Sequence, residues 1–124
     1  MSYTAEQVKT SGGLALTGSA AAVTQATNRA TGVTINSLCG SITTHNASLA
    51  AEASAKFTVT NSAVNIADVV LVCIRSGNVG LNTRATVTAV ADGSFEITVV
   101  NGNADGGTAE TGAIVINFAI IKEI

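Results

Sequence analysis

Proline and tryptophan are absent from the 124 residues, histidine occurs once, and aromatic side chains make up only 3%. The lack of proline excludes collagen-like and polyproline segments. Tyr3, Phe57, Phe95 and Phe118 are too few for a base-stacking platform or an aromatic sugar-binding surface. Charge is equally scarce. Charged residues are 11% of the chain, against about 25% in average soluble domains. Six Lys and Arg against eight Asp and Glu leave a net charge of −2, which gives no basic footprint for nucleic acid. No run reaches the ~18 apolar residues that span a bilayer. Apolar residues nevertheless supply 47% of the chain, which excludes a strongly charged disordered polypeptide.

The groups that carry chemistry are just as sparse. His45 and Asp68 coexist with many hydroxyls, but no serine sits in a G-x-S-x-G elbow. Cys39 and Cys73 form no C-x-x-C pair, and with a single histidine they fall short of a four-ligand zinc site. The absence of an export signal predicts that both are buried free thiols, Cys73 as a small hydrophobe in mid-strand. Asp105 and Glu110 flank Gly106-Gly107 without the alternating oxygens of an EF-hand, so a flexible hairpin loop is the simpler reading. The glycines form no phosphate cradle, because no helix N-terminus follows any of them. The sequence therefore predicts no catalytic, cofactor-binding or metal-binding residue, no cofactor and no enzyme.

Targeting signals are also missing. Glu6 lies in the opening segment, and Leu14-Ala15-Leu16 is too short for the apolar core of a signal peptide. The sequon Asn46-Ala47-Ser48 then has no secretory context. Synthesis in the cytoplasm, with retention there or assembly into a particle, is the expectation.

What is abundant is β-forming. Val, Ile and Thr supply 41 residues, and β-branched side chains favour the pleated conformation. Runs of them are separated by Gly, Asn, Asp and Ser, which predicts strands over 32–36, 41–45, 56–61, 69–75, 82–90, 95–101 and 113–121. The segment 47–55 reads equally as a short helical turn or a loop. The fold class predicted is all-β: an antiparallel β-sandwich or jelly-roll-like domain over 31–124, preceded by an extended N-terminal arm over 1–30. The arm is rich in small residues, with room for one strand near 22–27.

Asp92-Gly93 marks a hairpin turn. A two-residue loop would oppose Val90 to Phe95 and Thr88 to Ile97, mixing polar and apolar partners on one face. A three-residue loop with Gly93 left-handed in a G1 bulge opposes Ala89 to Phe95, Val87 to Ile97 and Ala85 to Val99. Because a one-residue slip moves every side chain to the other face, the second register is predicted. Two runs do not alternate, Val69 to Ile74 and Ala113 to Ile121. Strands apolar on both sides imply cover on both sides. Val115, Asn117, Ala119 and Ile121 are the candidate interface with another subunit or other protein, since interfaces are depleted of Lys, Glu and Asp.

The string Val23-Thr24-Gln25-Ala26-Thr27-Asn28-Arg29-Ala30-Thr31-Gly32-Val33-Thr34-Ile35-Asn36, with Cys39-Gly40-Ser41-Ile42-Thr43, resembles a group of small tailed-bacteriophage virion proteins. So do Phe57 to Ser62, the hairpin Val87 to Phe95 and the ending Val115 to Lys122. The resemblance implies a virion structural protein, a capsid decoration (cement) protein on the phage head. It would bind the major capsid protein and its own copies, as a homotrimer, and bridge neighbouring capsomers, with no nucleic-acid or membrane partner. A tail, neck or fibre adhesion component is the alternative within the particle. A small carbohydrate-binding β-sandwich is the alternative outside it.

Overall fold

A computed structural model describes residues 11–12 and 21–123. Its eight strands are β1 (Ala21–Thr24), β2 (Val33–Thr34), β3 (Cys39–Thr43), β4 (Ser54–Thr60), β5 (Val69–Ser76), β6 (Thr83–Ala91), β7 (Ser94–Asn101) and β8 (Val115–Ile121). No helix occurs among the described residues. The strands form two four-stranded sheets, in the orders β1-β3-β8-β5 and β2-β4-β7-β6, packed as a β-sandwich.

The expected all-β sandwich is the fold observed, and its sheets are mixed, with two parallel pairs among the antiparallel ones. β1 runs parallel to β3 and β2 parallel to β4, while every other pair is antiparallel. The connections explain it. The chain leaves β1, forms β2 at the edge of the opposite sheet and returns as β3, so β1 and β3 are not joined by a tight hairpin. Most of the expected arm lies outside the described residues. Its last ten, however, belong to the sandwich: β1 pairs with β3, and Gln25 and Arg29 are buried. The segment 47–55 is not helical; Leu49 bridges Glu110 and Ser54 already opens β4.

The core follows from alternation. In β7, Phe95, Ile97 and Val99 face inward, and in β8 Ile116, Phe118 and Ile120 do the same. Phe95 and Phe118 meet between the sheets with ring centroids 5.6 Å apart and planes tilted by 52°, a favourable aromatic geometry. Phe57 joins them, so all three phenylalanines are core.

The β6–β7 hairpin combines the two-residue-loop register and the register of facial matching. Next to the turn the loop has two residues, with Ala91 opposite Ser94 and Val90 opposite Phe95, in place of the expected three-residue loop that would oppose Ala89 to Phe95. A bulge at Thr88 then takes up one residue, and beyond it Val87 opposes Ile97 and Ala85 opposes Val99, as predicted. Gly93 is left-handed at φ 80°. The extra residue that facial matching demands is thus placed inside β6 and not in the loop. Asn61 N–H donates to the Gly93 carbonyl and Gly93 N–H to that of Val64, fixing the short turn against the loop after β4.

Candidate functional site

Alternation that buries one side of each sheet exposes the other, and the two outer faces differ. On the β2-β4-β7-β6 sheet the outward positions include Thr34, Lys56, Thr58, Arg84, Thr86 and Glu96. Lys56 and Glu96 pair at 3.5 Å, and Thr88 donates to the Glu96 carboxylate at 2.8 Å. This is an ordinary wet face of hydroxyls and charges.

The outer face of the β1-β3-β8-β5 sheet is built otherwise. The register sets Val69 beside Ile121, and carries Leu71 across Ala119 to Cys39 and Cys73 across Asn117 to Ser41. Val69, Leu71 and Ile121 are each about half exposed, at 52%, 52% and 51%. The four candidate interface residues, Val115, Asn117, Ala119 and Ile121, all lie on this face, the outward half of the central strand β8. Two shallow grooves score it beside Asn117. One, of about 280 Å³, is lined by Cys39, Ser41 and Arg75; the other, of about 180 Å³, by Leu71, Cys73 and Ala119. Among the described residues, Arg75 is the one charge that reaches over it.

The non-alternating runs are thereby explained. β8 and β5 each bury one apolar side in the sandwich and present a second apolar side outward. Cys73 is exposed and Cys39 half-buried, which corrects the reading of both as buried thiols. They are free. Strand β8 separates their strands, so their backbones stand roughly 9–10 Å apart, beyond the ~7 Å that a disulfide bridges.

Both ends of this face are held by buried ionic clusters that the sequence does not announce. At the open end of β5 and β8, the Asp68 carboxylate accepts from Lys122 Nζ, from Glu123 N–H at 2.9 Å and from Asn65 N–H at 2.8 Å. The Lys122 hydrogen bond chiefly, then those from the backbone, lower the Asp68 carboxyl to about 2. At the other end Glu110 is fully buried. Its carboxylate accepts from Val79 N–H (2.8 Å), Gly80 N–H (2.7 Å), Gly112 N–H (2.9 Å) and the Thr83 hydroxyl. Burial pushes this carboxyl up, but the hydrogen bonds from Thr83, Val79, Gly112 and Gly80 outweigh it, and the net shift is downward. Those donors occupy both oxygens, so Glu110 serves as a clamp for loop 77–83 and not as half of a calcium loop with Asp105.

Arg29 completes the clamp. It donates to the carbonyls of Ala47, Glu110 and Gly112 and to the Thr44 hydroxyl. Desolvation lowers its pKa and the Glu110 charge raises it in part. Around this cluster the backbones come into contact: a Cβ on Gly112 would stand 1.8 Å from the Gly77 carbonyl oxygen. His45 is unconnected with Asp68; its Nδ1 accepts from Ala47 N–H at 3.0 Å. Among the described residues no three His, Cys, Asp or Glu side chains gather as metal ligands.

No protein-family model, curated protein or solved structure matches this chain.

Proposed function

We propose that the chain is a non-enzymatic structural protein of a tailed-bacteriophage particle, a decoration protein that docks the outer face of its β1-β3-β8-β5 sheet on the major capsid protein at the head surface. The observation that carries this reading is the contrast between the two sheets. One outer face has the Thr, Lys and Glu of a wet surface; the other has an apolar half on β5 and β8 (Val69, Leu71, Val115, Ala119, Ile121), uncharged Ser41, Thr43 and Asn117 beside it, and Arg75 as its charge. The core of a protein interface is depleted of charge in the same way. The resemblance of residues 22–122 to small phage virion proteins names the kind of partner.

The size of the face sets the mode of action. Strands of four, five, seven and eight residues, at ~3.3 Å per residue and ~4.8 Å between strands, give a footprint of roughly 380 Å², against about 800 Å² per partner in a standard interface. One copy alone would hold weakly. Many copies on a repeating lattice, associated with one another, convert weak single contacts into tight collective binding.

The test uses phage heads that lack the protein. Purified chain is expected to bind in hundreds of copies per head, and to raise the temperature at which heads release DNA. Ala119→Glu, which sets a carboxylate in the middle of the face, should abolish binding while leaving the fold intact. Stoichiometry of three to a dozen copies would favour the tail or neck position. Undiminished binding of the Ala119→Glu variant would exclude this face.

A further inference from the structure

A four-stranded sheet has two edges, and proteins blunt exposed edges to prevent unwanted pairing. Three of the four edges here are blunted. β1 has four residues, β2 has two, and β6 is broken by the Thr88 bulge and carries Arg84. The fourth is β5. From Val69 to Ile74 it is regular and contains no charge, no proline and no glycine; its irregularity comes only after Ile74. Its inward edge pairs with β8, and among the described residues no hydrogen bond reaches its outward edge.

We infer that β5 pairs antiparallel with β5 of a second copy, joining two β1-β3-β8-β5 sheets into one eight-stranded sheet about a two-fold axis. The occupant is set by charge. At the N-terminal end of β5 the buried Asp68 is neutralised by Lys122, which leaves the exposed Glu123 as the net negative charge there, and the C-terminal end carries exposed Arg75. Antiparallel pairing brings Arg75 of each copy to the acidic end of the other, twice by symmetry. Parallel pairing would set like ends together. Face matching agrees: any register that opposes odd-numbered residues to odd-numbered ones keeps Val69, Leu71 and Cys73 of both copies on one side. About six new backbone hydrogen bonds form across the seam.

The inference stands on the edge strand and does not rest on the capsid assignment. It has a consequence for it, because pairing doubles the continuous docking footprint to roughly 760 Å², into the range of a specific interface. The two-fold pair stands against the homotrimer that the family resemblance implies, and mass decides between them.

The full chain is examined without heads, by sedimentation equilibrium from about 1 to 500 µM, spanning the affinities expected of small interfaces. A reversible dimer is expected. Hydrogen exchange should show the outward-facing amides of residues 69–74, every second one, protected at high concentration and released on dilution. Arg75→Glu and Leu71→Lys, both at exposed positions, should each weaken the dimer at least ~tenfold with an unchanged melting temperature of the diluted protein. The dimer should also weaken with salt. A chain that stays monomeric throughout overturns the inference. So does a three-subunit mass, or a dimer whose β5 amides exchange at the monomer rate, since stacking of outer faces would bury Ala119 without protecting that edge.

Discussion

Replacing Glu110 by Gln keeps the shape of the side chain and removes its charge, and the geometry fixes the cost. One carboxylate oxygen accepts from Val79 and Gly112 N–H, the other from Gly80 N–H and the Thr83 hydroxyl. An amide supplies one acceptor and one donor, so its NH₂ group must face one of these pairs. The Thr83 side is cheaper, because a hydroxyl can turn and accept. Even there the Gly80 N–H is left against another donor, which costs about 1–3 kcal/mol for an unpaired buried group. The remaining two bonds lose their charge assistance, about half their strength, and Arg29 loses its buried counter-charge. The sum is roughly 3 kcal/mol, or about 10–15 °C in melting temperature for a fold of this length. Thermal and urea unfolding of Glu110→Gln measure it, with Glu52→Gln on the exposed surface as control. A loss below about 1 kcal/mol would refute the view that this carboxylate organises loop 77–83.

Two residues test the left-handed backbone. Gly93→Val should cost about 1–3 kcal/mol from φ alone, since a Cβ there meets nothing within 4 Å; an unchanged urea midpoint would reject that. Glu52 is the one non-glycine residue with positive φ among those described, at 65°. Glu52→Gly should therefore be neutral or stabilising by up to ~1 kcal/mol, whereas a clear loss of stability would show that its side chain matters. Acid should act through the two buried carboxylates. Both are held below their ordinary values, so the folded chain binds their protons less readily than the unfolded chain. Their stabilisation is complete above the unfolded carboxylate range near pH 4–4.5 and is lost as pH falls toward the folded value, about 2 for Asp68. Stability against pH should thus decline below about pH 4.5, and Asp68→Asn should flatten the decline; equal slopes for the two proteins would contradict it.

The strands were legible because Val, Ile and Thr recur between turn residues, and seven expected segments coincide with β2 to β8 within a few residues at each end. The hairpin shows how far pattern alone reaches. Facial matching chose the register beyond the bulge and turn chemistry chose the two-residue loop, and no sequence rule says that Thr88 reconciles them. β1 was only half legible, since Ala21-Ala22-Val23-Thr24 has little to bury until β3 lies beside it. The outer-face residues of β8 were legible as residues without cover, though not the exposure of Cys73, because an apolar run cannot reveal which of its sides faces water. The clamp left no signal. Arg29 and the Glu110 carbonyl it contacts are 81 positions apart, and each reads locally as a single charge in a loop.

The strand order also governs when the protein can be made whole. β4, β6 and β7, contiguous from 54 to 101 apart from β5, can zip together as soon as they leave the ribosome. β3 and β5 cannot, because the strand that belongs between them is β8, the last of the eight to be synthesised. Until Val115–Ile121 emerges and inserts, β3 has only β1 for a neighbour and the apolar strand β5 has both edges open, vulnerable to a neighbouring nascent chain. Assembly of the β1-β3-β8-β5 sheet is therefore a late event, separate from that of the β2-β4-β7-β6 sheet. Conditions that slow insertion of this final strand should divert material into aggregates before they alter the finished molecule.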